Sequence, residues 1–113
     1  GIGFVGYAYA VNNSDRVRML PIDGGDGQCI APDEETVAAN TYPIARDLFI
    51  YPEQGRIDPA SESYNPALAP FVDFYVTAEG QELVSVAGDV QLAEDALAES
   101  QAAWAAAKAE VGA

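Results

Sequence analysis

The sequence contains no histidine, a single cysteine and few bases, and these absences exclude several classes of function. Without histidine, the usual zinc sites and the acyl-transfer sites that pair a nucleophile with an imidazole base lack their parts. Cys29 cannot form an internal disulfide, so it is either a small, partly buried thiol or the partner of a cysteine outside these 113 residues. We therefore predict no enzyme, no catalytic residues, no cofactor and no metal ion.

Basic residues are scarce, since 18 acids face 5 bases and the net charge is −13. A field of this sign repels nucleic acid and anionic lipid, so both are poor partners, and the simplest interpretation of the charge is a solubilising coat. No apolar run reaches the ~18–20 residues of a membrane helix. Half of the residues are hydrophobic, which favours a folded chain with one core.

A few charged groups raise the question of a site, and each has a simpler structural explanation. The glycine-rich run at residues 23–28 suggests a calcium loop, but its spacing lacks the alternate oxygen ligands, so a plain turn is favoured. The acid pairs at residues 34–35 and 94–95 lie at predicted helix starts, where the helix dipole accounts for them. Arg46 could face an anion, but an ion pair with Asp47 or another acid is favoured.

Hydrophobic periodicity predicts alternating strands and helices. Strands are predicted at residues 2–5, 16–22 and 44–51. Helices are predicted at residues 33–40, from about residue 69 after the Asn65-Pro66 start, at 81–87, and over about 20 residues near the C-terminus with Leu97, Trp104 and Val111 on one face. Residues 7–11 are predicted to form the first turn of a helix or a tight turn out of the first strand, and residues 52–64 are predicted to form a loop. The Trp104 side chain is predicted to pack in a core.

This alternation predicts an α/β architecture with a largely parallel sheet. Three strands are too few to protect the edges of such a sheet, so we expect the chain to be a piece of a larger fold. The opening segment, G-I-G-F-V-G-Y-A-Y-A, has the composition of a strand inside a fold.

Four segments together resemble the substrate-binding proteins of ABC-type phosphate importers. G-I-G-F-V-G-Y-A-Y-A resembles the family segment G-(A/I)-I-G-(Y/F)-V-x-Y-A-Y-A, and V-R-M-L-P-I-D-G resembles the strand and turn that follow it. Residues 31–51 resemble P-(S/T)-x-E-T-(V/I)-x-x-G-x-Y-P-(L/I)-(S/T)-R-P-L-F-(I/V)-Y, with Ala45 in place of the usual Ser/Thr and Asp47 in place of the usual Pro. P-F-V-D-F-Y-V-T-A-E-G-Q-E-L-V resembles A-F-V-D-F-Y-L-x-x-x-G-Q-x-L-V, and a last helix with a late Trp follows.

The resemblance implies the C-terminal part of a two-lobed, type II periplasmic-binding-protein fold, in which a parallel-rich sheet is flanked by helices. Residues 1–43 would belong to the second lobe, residues 44–51 would form a crossing hinge strand, and residues 52–113 would complete the first lobe. The chain would correspond to roughly the last third of such a protein, so that residue 1 is a cut. The family's phosphate-contact motifs are not in this sequence, so no ligand-binding residue is assigned.

The function implied by the resemblance is the binding of inorganic phosphate and its delivery to the membrane subunits of an ABC-type importer. The location would be periplasmic, cell-surface or secreted, and an N-terminal segment of the same protein would be a partner. The alternative is a stand-alone interaction module, with unpaired strand edges that dock a partner or a second copy and with no solute bound. The parent protein could also bind a different oxyanion.

Overall fold

The computed structural model describes residues 1–113 and divides them into two compact units. The first unit comprises residues 1–47 and 82–91, and the second comprises residues 48–81 and 92–113. The chain therefore passes between the units after residues 47, 81 and 91.

Helices dominate the secondary structure. They are α1 (Tyr7–Asn12), α2 (Glu34–Ala38), α3 (Gln54–Ile57), α4 (Leu68–Tyr75), α5 (Ala78–Val86) and α6 (Glu94–Val111). The two strands, β1 (Ile22–Asp23) and β2 (Cys29–Ile30), pair antiparallel, with Ile22 opposite Ile30 and Asp23 opposite Cys29. None of the helices combines the length and the apolar character that crossing a membrane requires.

The core of the second unit is a small cluster in which three side chains are buried. These are Ile57 from α3, Val72 from α4 and Trp104 from α6, exposed by 2%, 3% and 8%. Partly buried apolar residues surround the cluster: Leu68, Ala69, Val76, Ala107 and Val111. Burying one such large side chain contributes roughly 1.5–3 kcal/mol to the free energy of unfolding. Helices α3, α4 and α6, which are short or weakly amphipathic, are therefore stabilised by packing against one another.

Helix α6 confirms the prediction of a long C-terminal helix with a packing face. Its 18 residues begin with Glu94 and Asp95 at the positive end of the dipole and place Lys108 in the last turn. Trp104 is buried, as the spacing predicted. The helix ends at Gly112, whose φ of 70° is left-handed.

Helix α4 begins at Leu68, one residue before the predicted start. The Asn65 side chain accepts a hydrogen bond from the Ala67 N–H at 3.1 Å and so organises the turn that precedes the helix. Pro70 is tolerated because it falls in the first turn, where its missing N–H would have had no partner within the helix.

The corner between α4 and α5 depends on a close approach of the backbone at Gly80. A Cβ atom at this position would lie 2.2 Å from the Phe74 carbonyl oxygen, so only glycine fits. The Thr77 hydroxyl accepts from the Gly80 N–H at 3.0 Å, and this cap explains why α5 begins at Ala78, three residues before the predicted start.

Gln81 is the one polar side chain that is fully enclosed, with 3% exposure. Its amide nitrogen donates to the Tyr75 carbonyl at 3.1 Å, and its amide oxygen accepts from the Leu92 N–H at 3.1 Å. Both ends of the amide are therefore satisfied, and the side chain joins the end of α4 to the segment before α6.

The first unit has little core, with Ala10 of α1 as its one buried apolar residue. Helix α1 confirms the helical turn predicted at residues 7–11. The turn that ends α5 approaches α1: a Cβ at Gly88 would lie 3.1 Å from Ala8 Cβ, and the Gly88 φ of 91° excludes other residues without strain. Helix α2 also matches its prediction, with Asp33 as N-cap and Asn40 just beyond its end.

The prediction of a parallel-rich sheet with strands at residues 2–5, 16–22 and 44–51 is not confirmed, because the sheet contains two strands and they are antiparallel. Within these ranges only Ile22 belongs to a strand, and the remaining residues form no sheet pairing. A strand is stable only when its N–H and C=O groups meet a neighbouring strand. The predicted segments have no such neighbour within these 113 residues.

The prediction of a loop over residues 52–64 is wrong in part, because α3 lies within it. This helix has four residues, too few for a periodic pattern to reveal it. It is held by the burial of Ile57 against α4 and α6 and by an ion pair in which Arg56 Nε lies 3.3 Å from Glu53 Oε2.

We predict that Gly80→Ala destabilises the second unit by about 1–3 kcal/mol, because the new methyl group forces the α4–α5 corner apart. Gly55→Ala is the matched control in a helix of the same unit: its Cβ would meet Ser61 and Ser63 hydroxyls at 3.3 and 3.0 Å, and these side chains can rotate away. Urea unfolding followed by Trp104 fluorescence measures both variants. Equal shifts of the two midpoints would contradict the clash at Gly80.

Candidate functional site

The strongest polar cluster of the second unit is centred on Asp73. Helix α6 places Trp104 and Lys108 one turn apart, and both donate to the same Asp73 carboxylate oxygen on α4, Trp104 Nε1 at 2.7 Å. The Lys108 ammonium also lies 5.6 Å from the centre of the Trp104 ring, within the range of a cation–π contact. All three groups are thus occupied with one another.

The pKa of Asp73 is held below its ordinary value of 3.8, first by the hydrogen bond from Lys108 and then by the one from Trp104. Burial opposes this effect. Nearly half of the Asp73 side chain is exposed (47%), so water screens the ion pair and its contribution to stability is small. A carboxylate that already accepts two donors is suited to joining helices and is a poor site for a ligand.

The glycine-rich turn at residues 23–28 joins β1 to β2 and is closed by its own acids. One Asp23 oxygen accepts from the Gly25 and Gly27 N–H groups at 2.8 and 3.0 Å, which lowers the Asp23 pKa, and Asp26 accepts from the Gln28 N–H at 2.9 Å. The plain turn favoured by the sequence is confirmed. No group of three His, Cys, Asp or Glu residues comes together in a way that could hold a metal ion.

Helix α2 begins with a capping box formed by Asp33 and Thr36. Asp33 accepts from the Thr36 N–H at 2.8 Å, and the Thr36 hydroxyl accepts from the Asp33 N–H at 3.0 Å. Glu34 and Glu35 follow in the first turn, where the helix dipole favours them. Burial, followed by the nearby charges of Glu34 and Asp33, raises the pKa of Tyr7.

Two predictions about single residues require correction. Arg46 is exposed and forms no ion pair, because Asp47 bonds instead to Asn40, whose Nδ2 lies 3.3 and 3.5 Å from the two carboxylate oxygens. Cys29 is exposed, so the interpretation as a partly buried thiol is wrong. Strand β2 has a single neighbour, β1, and the Cys29 thiol is open to solvent.

The surface offers no enclosed ligand site. An open depression is lined by Glu94, Asp95 and Ala98. Two carboxylates repel an anion such as phosphate, and their place in the first turn of α6 already explains them. The geometry therefore assigns no ligand-binding residue.

The most unusual surface feature is exposed apolar residues in extended segments without strand partners. In the first unit, Ile2 and Phe4 are exposed by 92% and 84%. In the second unit the segment Leu48–Tyr51, the apolar end of the predicted hinge strand, has Leu48 and Tyr51 exposed by 75% and 86%. Scattered apolar residues are ordinary on a protein surface, but contiguous exposed runs of this kind mark interaction sites.

Comparison with known proteins found relatives that are longer than this chain. The phosphate-binding protein PstS of Staphylococcus aureus (strain USA300) is 28% identical over 81 residues, which are 72% of this chain and 23% of that protein. Protein SphX of Synechocystis sp. is 33% identical over 96 residues, which are 84% of this chain and 26% of that protein. The chain spans about a quarter of the length of these relatives and matches their C-terminal part.

The chain is similar to PstS-like phosphate-binding proteins, and this similarity confirms the family resemblance. The similarity to PstS implies a periplasmic-binding-protein fold. No protein-family model matches the chain, and no solved structure matches it.

The structure explains why four residues of the segment that resembles the PstS-like family, F-V-D-F-Y…G-Q at residues 71–81, are of the type they are. Val72 is buried in the core, Asp73 binds α6, Gly80 permits the close corner and Gln81 joins two segments. Sequence reasoning missed the Asp73 contacts because donor and acceptor lie 31 and 35 residues apart.

We predict that acid weakens the attachment of α6 through Asp73. A carboxyl group whose folded pKa is depressed stabilises the fold above its unfolded pKa, and this stabilisation is lost as the pH falls through the lower folded value. Stability should therefore decline below about pH 3.8, the ordinary value. Asp73→Asn should flatten this part of the profile, because a neutral amide at residue 73 has no proton to gain.

Urea unfolding followed by Trp104 fluorescence between pH 2 and 7 measures the profile. Glu99→Gln on the exposed face of α6 removes the same charge without touching Trp104 and serves as the control. Identical pH profiles for Asp73→Asn and Glu99→Gln would rule out a specific role for Asp73.

Proposed function

We propose that this chain is the C-terminal portion of an extracytoplasmic protein that binds inorganic phosphate and delivers it to an ABC-type membrane importer. The observation that carries the proposal is the similarity to the phosphate-binding protein PstS over 72% of the chain. The proposed role is that of a carrier and not of an enzyme.

The proposed division of the chain follows the expected lobes. Residues 1–43 contribute to one lobe, residues 52–113 to the other, and residues 44–51 form the hinge strand that crosses between them. A change of unit between Asp47 and Leu48 supports a hinge in this segment, while residues 82–91 group with the first unit and not with the rest of residues 52–113. Hinge closure around a solute would then be the working motion.

The unpaired segments at residues 2–5 and 44–51 support the proposal that further strands lie in the remainder of the protein. Leu48, Phe49, Ile50 and Tyr51 are exposed in succession, so side chains on both faces of this extended segment are apolar. Strands with two apolar faces belong inside a sheet covered on both sides, the parallel-rich sheet of the proposed fold.

Phosphate binding itself would depend on that remainder. A desolvated phosphate is held by backbone N–H groups, hydroxyls and helix N-termini that converge on it, so a net charge of −13 does not oppose binding by local donors. We propose that these donors lie in that remainder, and that the partners are phosphate, the N-terminal portion of the same protein, and the importer's membrane subunits.

A stand-alone interaction module is the second candidate, favoured by the same exposed apolar segments. In that case the segments would bind a second copy or another protein, and no solute would be bound. The two functions differ in what accompanies the chain and in their response to phosphate.

The test is native mass spectrometry of the protein purified from its source, with phosphate and, as the control anion, sulfate. We expect the chain to be recovered with a larger N-terminal portion and the assembly to gain one phosphate but no sulfate. The 113-residue chain alone should gain neither.

Recovery of the chain alone or as a self-dimer, without phosphate uptake, would overturn the carrier function and favour the interaction module. Phosphate uptake by the isolated chain would refute the claim that the ligand contacts lie elsewhere. Equal uptake of sulfate would indicate a less selective oxyanion carrier.

A further inference from the structure

We propose that Asn40 and Asp47 form a latch that closes the loop at residues 40–47 and fixes the point where the chain leaves the first unit. Asn40 Nδ2 lies 3.3 Å from one Asp47 carboxylate oxygen and 3.5 Å from the other, so both oxygens are within reach of the same amide nitrogen. A donor shared with an ionised acceptor is stronger than a neutral pair at the same distance.

The backbone at Asn40 is arranged for this contact. Its φ of 53° makes it the one residue other than glycine with a positive φ in the structure. Asparagine tolerates this left-handed conformation better than most side chains do. The turn also brings the Thr41 and Tyr42 N–H groups to the Thr36 carbonyl, at 2.9 and 3.0 Å, which ends α2.

The first half of the loop is anchored in the first unit. The Tyr42 hydroxyl donates to the Leu20 carbonyl at 3.2 Å, and the Ala45 N–H donates to the Tyr42 carbonyl at 2.9 Å. Pro43 lies against Gly24, where a Cβ would stand 3.3 Å from Pro43 Cγ.

Beyond Ala45, the latch is the one hydrogen bond of the loop. Residues 48–52 make no hydrogen bond, and Asp47 is the last residue of the first unit before the chain enters the second. The Asn40–Asp47 contact is therefore the final restraint on the chain before its exposed extended segment begins.

The consequence for the working protein rests on the proposed function. If residues 44–51 are the hinge of a two-lobed carrier, the latch holds the first-unit end of that hinge. The bending is then confined to the residues that follow Asp47. Opening of the latch would lengthen the flexible part of the hinge by several residues.

A double-mutant cycle in the 113-residue chain tests the latch, with amide hydrogen exchange at residues 41–47 as the readout. We expect Asp47→Ala to speed exchange at Thr41, Tyr42 and Ala45 by about 2- to 10-fold, the range for loss of one hydrogen bond. Asn40→Gly in the Asp47→Ala background should add nothing further, because the bond is already absent. Asp15→Ala, an exposed acid without a side-chain partner, is the control.

Asp47→Asn guards against a variant that merely folds poorly, since its amide oxygen still accepts from Asn40 and should preserve most of the protection. Unchanged exchange in Asp47→Ala, additive effects of the two substitutions, or equal losses in Asp47→Asn and Asp47→Ala would each overturn the latch. Exchange is measured without phosphate, so this result is independent of the proposed function. If the protein binds phosphate but the two substitutions are not coupled, the carrier function stands and the latch is refuted. If the substitutions are coupled but the protein does not bind phosphate, the Asn40–Asp47 contact exists but has no role in a carrier's hinge.

Discussion

The hydrogen bond from Trp104 to Asp73 is the contact on which the second unit most depends. A Trp104 side chain that is only 8% exposed brings an N–H group out of water, and this group must find an acceptor or destabilise the fold. Asp73 provides the acceptor from α4, and the same oxygen holds Lys108. The Trp104 indole can therefore be buried only where the Asp73 carboxylate is placed to accept its hydrogen bond. This contact also orients α6 so that its apolar side packs against Ile57 and Val72.

The same reasoning gives the family resemblance a physical meaning. The matching residues Val72, Asp73, Gly80 and Gln81 around α4 and α5 maintain a core, a helix attachment and a corner. Similarity at such residues reports a shared fold more directly than a shared binding site. The proposed phosphate-binding function rests on similarity to PstS and not on a constellation of donors in this chain.

The success of sequence reasoning differed between helices and strands for a physical reason. A helix makes its hydrogen bonds within itself, so the spacing of Leu97, Trp104 and Val111 was enough to predict α6 and the burial of its tryptophan. A strand requires a neighbour, and residues 2–5 and 44–51 carried the right side chains without one. Helix α3 was missed because it depends on the burial of Ile57, a tertiary contact that four residues of local sequence do not encode.

The candidate site followed the same division. Local chemistry was predictable: the acids of residues 34–35 and 94–95 lie at helix starts, and the run at residues 23–28 is a turn. Contacts between residues far apart in the chain were not predictable. The contacts of Lys108 with Asp73 and of Leu92 with Gln81 have no sequence signature. The burial of Cys29 and an ion pair for Arg46 were wrong because both depended on neighbours that the fold does not supply.

The distribution of two rare side chains gives each unit its own reporter. The sole tryptophan, Trp104, lies in the core of the second unit, and the sole cysteine, Cys29, stands exposed on the two-stranded sheet of the first. A thiol-reactive dye therefore marks the first unit at one position without mutagenesis, while indole emission observes the second. Two colours recorded in a single denaturation experiment would establish whether the two units melt together or one after the other.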